Sequence, residues 1–268
     1  MGIFVEYPIH RNNLFLERCY TNVMKKNYMI LWILFAIFLL IRICFKMSYW
    51  IVLSIETCGL AIAILIQAKL PSKKHIIVSI ILSVLSTIAY LGYQRNLWIL
   101  LYGLRAGIPT LLCSLAVFSV MEKRKGFVLL SRKGKNPLLI TLLISLAAGL
   151  VLSAINLIGE NINFDFSWWK LLLCLNPAIY EEIAYRAIFI AFCIWSANGK
   201  MTIFQYFTMY VMATLPHSMV HGYPFWPTVL LTFLFGLPFA ILQKKRDLTS
   251  AMISHGIVDA FRFVLMGF

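Results

Sequence analysis

Charge is scarce in this chain, and negative charge scarcest: 13% of the 268 residues are charged and only ten are acidic. A soluble domain keeps its surface wet with about a quarter of its residues charged, so an ordinary water-facing surface is excluded. The six cysteines form no Cys-x-x-Cys and no paired framework. Cys44, Cys58, Cys113, Cys174 and Cys193 lie in or beside apolar blocks, where cysteine acts as a small hydrophobe, and disulfides are not expected. No internal repeat, low-complexity tract or His-Glu-x-x-His metal motif occurs. The first 27 residues hold no short apolar run before a small-residue cleavage site, so no cleaved signal peptide is expected. The start, Met1-Gly2-Ile3-Phe4-Val5-Glu6, lacks the Ser or Thr of a myristoylation signal, and the last four residues are no prenylation box.

What the chain has instead is apolar length. Hydrophobic residues make up 61% and the mean hydropathy is +0.85. They fall in blocks near or above the ~18–20 residues that cross a hydrocarbon core of about 30 Å. In lipid every backbone N–H and C=O must be satisfied internally, so such blocks become helices. The expected fold is all-α, a polytopic membrane bundle of about eight or nine transmembrane segments. The apolar segments run roughly over 28–45, 49–67, 76–93, 97–120, 137–158, 166–196, 201–221, 228–243 and 251–268.

The formal net charge of +14 would suit a nucleic-acid binder, but its placement does not. The basic residues sit between apolar blocks, as orientation signals and contacts to anionic lipid do, so lipids and not nucleic acids are the expected partners. Alternate loops on one side carry seventeen Lys and Arg, among them Arg11, Arg18, Lys25, Lys26, Lys69, Lys73, Lys74, Lys200, Lys244, Lys245, Arg246 and the run 122–136. The other side carries four: Arg42, Lys46, Arg95 and Lys170. That bias predicts a cytoplasmic N-terminus in the plasma membrane. The basic run also marks a boundary between 1–136, of unassigned role, and 137–268.

Charged groups at bilayer depth cost roughly 2.5–3.5 kcal/mol each on insertion scales, so those that persist usually serve function. Three clusters stand out at helical spacing. Glu182 and Arg186 are four apart and share a face in the favourable acid-before-base order, while Glu181 points about 100° away and is free of that pair. Two adjacent carboxylates in different environments can take different roles. His217 and His221 are again four apart. His255 and Asp259 form the third pair, in which the acid can fix the tautomer of a histidine one turn earlier. Glu56 and Arg105 read as an interhelical polar contact, and Trp168-Trp169 as an interfacial aromatic anchor. One tension is built in. If 201–221 and 251–268 both cross straight, His221 and His255 differ in depth by more than about 15 Å, at 1.5 Å per residue. Either a boundary lies elsewhere, or the stretch holding Pro216, Gly222, Pro224 and Pro227 is broken or re-entrant.

Glu-Glu-x-x-x-Arg (181–186), a histidine on a later helix, then His-x-x-x-Asp (255–259) resembles the CPBP family of intramembrane proteases, the CAAX-protease-like and bacteriocin-processing (Abi) proteins. The three motifs stand in order over about residues 166–262. The segment 233–237, its basic loop and Ser250 to His255 also look like that family's approach to its last motif. The resemblance implies that Glu181 activates a water for attack on a peptide carbonyl, with Glu182 and Arg186 holding the geometry. His221 would match the second-motif histidine, with His217, which stands where that motif usually has Phe, as the competing assignment. His255 and Asp259 would match the oxyanion-stabilising pair, although Asp259 replaces the commoner Asn, and an ionised Asp cannot donate to an oxyanion. The expected function is thus a glutamate-dependent intramembrane endopeptidase acting on a membrane-associated, possibly lipidated, protein or peptide. No metal is expected, though His217 and His221 at i and i+4 have a spacing that suits zinc. The alternatives are a non-catalytic scaffold or bacteriocin-immunity protein and, behind them, a transporter.

Overall fold

The computed structural model describes residues 12–44, 48–124, 126–197 and 200–266, with side chains from Tyr28 onward. Lys46 and Lys125, and the side chains of Arg11, Arg18, Lys25 and Lys26, lie outside it. Every described element is helical or a connection. They are α1 (Asn12–Cys44), α2 (Tyr49–Ala68), α3 (Lys73–Ile88), α4 (Ile99–Lys123), α5 (Pro137–Asn156), α6 (Trp168–Leu173), α7 (Ile188–Ala197), α8 (Ile203–Val220), α9 (Phe225–Leu231), α10 (Leu237–Lys245) and α11 (Leu248–Leu265). Six stretches among the described residues are long and apolar enough to cross a membrane: Tyr49–Ala68, Lys73–Gly92, Ile99–Lys123, Pro137–Asn156, Phe225–Lys245 and Leu248–Leu265. A shorter apolar helix covers Tyr28–Cys44. The chain is an integral membrane protein of the helical-bundle class. Its centre is the stretch from α6 to α7, so thoroughly enclosed that residues from Ile183 to Ala191 are nearly all buried. The main core cluster draws on residues from both sides of the basic run, from Tyr28 to Leu248.

Close helix approach is bought with small residues, the usual route in lipid, where apolar side chains gain little by leaving the solvent. Gly103 and Gly107 of α4 form a Gly-x-x-x-Gly face against α3, and a Cβ at either would collide with Thr87. Ser83 Oγ donates to the Gly107 carbonyl at 2.7 Å, and Thr110 Oγ1 lies 3.3 Å from Ser86 Oγ. These contacts weld α3 to α4 into one wall.

The helices sort into two ends. At the basic end Ser119 Oγ donates to the Lys69 carbonyl at 2.7 Å, the Ser72 N–H to Glu122 at 3.0 Å, and Lys244 Nζ to the Gly126 carbonyl at 2.7 Å. At the opposite end Arg42 Nη1 donates to the Met219 carbonyl at 2.9 Å, and the Asp165 N–H to the Val264 carbonyl at 2.8 Å. There too Arg95 stands 5.4 Å above the Trp169 ring, at the exposed Trp168-Trp169 pair read as an anchor.

Two readings need revision. Among the described residues no ion pair joins Glu56 to Arg105. One oxygen of Glu56 is buried without a hydrogen-bond partner, while Arg105 is exposed with its guanidinium 4.9 Å from the Tyr102 ring. Their helices present them to different neighbours.

The depth conflict is resolved at the start of α11. Its cap, Asp247, is fully buried and accepts from the Ser250 N–H at 2.7 Å, the Ser131 N–H at 3.0 Å and Thr141 Oγ1 at 2.8 Å. Leu248 and Thr249 donate to the Val128 and Leu129 carbonyls, both at 3.0 Å. The segment 126–133 therefore covers the first turn of α11, so that this helix does not begin at the surface. On the other side α8 ends at Val220, Gly222 turns the chain at φ +73°, and the next helix starts at Phe225.

Gly103→Val should force α3 and α4 apart. A lowered thermal-unfolding midpoint in detergent, equivalent to about 1–3 kcal/mol of overpacking strain, is the expected outcome, with Gly59→Val, where a Cβ meets open space, unchanged.

Candidate active site

Between α6 and α7 the backbone takes two π-helical turns, Pro177–Glu181 and Ile183–Ala187. Each π-turn holds one residue more than an α-turn and re-aims the side chains around it, which is why such turns recur at functional sites. Here they frame the two carboxylates. Glu182 is fully buried and takes Arg186 on one oxygen, an i, i+4 contact as the spacing predicted. Its other oxygen accepts from Gln243 Nε2 at 2.6 Å, and the same amide donates to the Glu182 carbonyl at 3.0 Å. Gln243, on α10, is an unforeseen member of the site. In the sequence it stands at the end of an apolar run, directly before Lys244, Lys245 and Arg246, where a neutral amide carries little signal.

Glu181 turns the other way, into a cavity of about 280 Å³. His217 Nε2 stands 2.9 Å from its Oε2, close enough for an ion pair but out of line for a hydrogen bond. Contacts of that kind commonly tighten only when substrate arrives. His255 reaches the same oxygen from the far wall, with Nε2 at 3.8 Å. Its Nδ1 is held by Glu182 Oε1 at 2.6 Å and its ring stacks on Phe239 at 4.7 Å. Asp259 Oδ2 is 3.4 Å from His255 Nε2. The structure thus assigns the orientation of His255 mainly to Glu182 and leaves Asp259 on the outer side of the ring.

Six of the seven motif residues line one cavity, and Glu182 lies directly behind it, against Arg186 and His255. Of the two competing histidines, His217 is the buried one that touches Glu181. His221 lies one turn farther out, with its ring 5.3 Å from His217 and 5.2 Å from Trp50. Glu181, His217 and His221 each offer one ligand atom, and these lie within 4.8 Å of one another. Three protein ligands of this kind, with a water in a fourth place, match the donor set of a catalytic zinc site.

The first half of the chain also reaches the site. Trp50 of α2 packs edge-on against both histidines, 5.9 Å from His217. Ser54 Oγ joins the hydroxyls of Tyr180 and Tyr185 at 2.7 and 2.8 Å, and those hydroxyls also touch each other. A second, larger cavity of about 1000 Å³ opens beside the first between α2 and α4, lined by Ile51, Ile55, Leu101, Leu104 and Arg105 and reaching Glu181. Asn176 stands where the two cavities join, with its side-chain oxygen buried and unpartnered.

Residues 163–261 match a protein family described as type II CAAX prenyl endopeptidase, Rce1-like. This stretch is similar to that family. It contains every carboxylate, histidine and arginine assigned to the motifs, in agreement with the CPBP resemblance. Trp50, Ser54 and the α2–α4 cavity fall outside the Rce1-like stretch. No curated protein and no solved structure matches the chain.

Removing one partner of a buried ion pair strands the other, at a cost of about 3–5 kcal/mol. Arg186→Ala should therefore lower the thermal-unfolding midpoint and the yield of folded protein in detergent. Glu181→Gln, which keeps the shape of a group facing a cavity, should leave the midpoint close to that of the unaltered chain.

Proposed function

We propose that this protein is an intramembrane endopeptidase in which Glu181 is the general base that activates water. One observation carries the reading: Glu181 is the carboxylate that faces the cavity with imidazoles on two sides, while its neighbour Glu182 is consumed by Arg186, Gln243 and His255. The division of labour follows from the contacts. Glu181 takes a proton from a water in the cavity beside it and His217, and the hydroxide attacks a peptide carbonyl. His255, held at Nδ1 by Glu182 and acting as the imidazolium, donates from Nε2 to the oxyanion. Asp259, 3.4 Å from the same Nε2, supports that charge. Collapse of the tetrahedral intermediate returns the proton from Glu181 to the leaving amine, with no covalent enzyme intermediate. Of the two second-motif histidines, His217 is the partner of Glu181, and His221 supports it from one turn away.

The substrate is a membrane-associated protein or peptide. The apolar cavity between α2 and α4 suits a lipid chain or an apolar side-chain run, held while the scissile bond reaches Glu181. The protein sits in the plasma membrane with its N-terminus in the cytoplasm, as the basic loops favour. The spacing of Glu181, His217 and His221 supports a second reading, in which a zinc ion polarises the water that Glu181 and the imidazoles would otherwise handle.

Purified protein in liposomes, given membrane-anchored fluorogenic peptides, tests both. Glu181→Gln should reduce cleavage by about 10²–10⁴-fold, the contribution of a positioned general base. His255→Ala should cost about 10²–10³-fold, as loss of an oxyanion donor does. His217→Ala should cost more than His221→Ala. Insensitivity to chelator supports the metal-free route. Loss of activity on chelation with recovery on zinc addition would establish the metal. Cleavage unchanged in Glu181→Gln would leave the scaffold reading in its place.

A further inference from the structure

The catalytic cavity is open at one end and closed at the other. Its lining includes six residues from helix ends: Trp50 in the first turn of α2, Tyr93 after α3, Asn156 closing α5, His221 capping α8, and Arg262 and Phe263 in the last turn of α11. All six belong to the ends remote from the basic loops. Tyr93 there is 61% exposed. Toward the basic end the cavity meets Arg186 and Phe239, and beneath them Glu182 and Gln243, every one buried. Below those come buried Asp247, Leu248 and Ser250, and then the segment 128–131 hydrogen-bonded across the start of α11. A peptide approaching from that side would have to displace the ion pair and the loop together.

The larger cavity has the same polarity. Its α2 residues run from Trp50 to Ile62 and its α4 residues from Leu101 to Pro109, in each case starting at the end away from the basic loops and stopping short of the other. It opens among side chains that face lipid, with Ile51, Ile55, Leu101, Leu104 and Ile108 all exposed.

The charge asymmetry says which end is which. Of the Lys and Arg whose side chains are described, twelve lie at helix ends and connections of the closed end and three, Arg42, Arg95 and Lys170, at the open end. Short loops rich in Lys and Arg stay on the cytoplasmic side. From these observations we infer that the site takes its substrate from the non-cytoplasmic face: an exported peptide or protein whose apolar anchor lies in the outer leaflet, in the α2–α4 cavity. The inference rests on the peptidase reading for the chemistry, but the sidedness stands on geometry and charge alone. It also sets a place in a sequence of reactions, because translocation must precede cleavage. A chain anchored in the cytoplasmic leaflet meets only the closed floor.

Two measurements test this in a bacterial expression host. In a cysteine-free background, Ile158→Cys at the open end and Lys133→Cys at the closed end are treated with a membrane-impermeant maleimide, before and after permeabilisation. In the second, the unaltered chain is co-expressed with two reporters. Each carries one apolar span, a mixed-sequence linker library and an epitope tag, with the linker directed to one face or the other. The expected result is full labelling at position 158 in intact cells, none at 133 until permeabilisation, and cleavage of the outward linker that is lost in Glu181→Gln. Labelling at position 133 in intact cells, or Glu181-dependent cleavage of the inward linker, would overturn the inference. Expected labelling with neither linker cut would sink the peptidase reading and leave the side of opening established.

Discussion

A carboxylate with no exposure inside a helical membrane bundle has to be compensated where it stands, and Arg186 does this for Glu182 from one turn away on the same segment. Burial makes the pair a strict constraint, since desolvating two ions is repaid only when the remaining hydrogen-bonding positions are filled as well. The fold fills the positions of Glu182 from other helices, while Arg186 Nε stays buried without a hydrogen-bond partner. Gln243 comes from α10, the His255 ring from α11, and the Phe239 face lies 5.3 Å from the guanidinium. Three segments distant in sequence are thereby held to one point. Glu181, the adjacent residue, inherits a fixed position without spending its own charge on the scaffold. The rigid pair and the available carboxylate are two consequences of one local arrangement.

The same arrangement explains the closed floor. A buried, closely packed ion pair cannot also be a water-filled passage, so the cavity above it opens away from the pair. The helix ends surrounding that exit are the ones with few basic residues. A device that holds catalytic groups in register thus also decides from which direction they can be approached.

Much of this was legible in the sequence, and the reasons are physical. Apolar runs near bilayer length leave helix as the only way to satisfy the backbone, so the described parts of all nine segments are largely helical, although α1 begins at Asn12 and 166–196 is divided among α6, two π-turns and α7. Ionisable groups at i, i+4 on such helices are conspicuous because lipid penalises them, and Glu181, Glu182, Arg186, His217, His221, His255 and Asp259 do converge. Register and depth were not legible. Two π-turns displace the residues around Glu181, and the segment 128–131 covers the first turn of α11. Neither leaves a periodic trace. Glu56 and Arg105 were paired in the reading because both were charges in one half of the chain, but composition does not say which way a helix faces. Gln243 and Asn176 were missed because a neutral amide carries no insertion penalty large enough to mark it. The same blindness to context puts His221 ahead of His217 in the sequence, since spacing places both on one face and only burial and the contact with Glu181 separate them.

The hydroxyl cluster of Ser54, Tyr180 and Tyr185 has a consequence for how such a protein can be divided. Tyr180 and Tyr185 sit on the π-turns that carry the carboxylates, and their polar ends are satisfied by a serine on the second helix of the chain. Cut away the early helices, and two phenols would be left in hydrocarbon beside the reacting groups. The Rce1-like stretch is therefore not a portable cassette: the chemistry is encoded late in the chain, but its upholstery is encoded early, and the two halves cannot be exchanged independently among relatives.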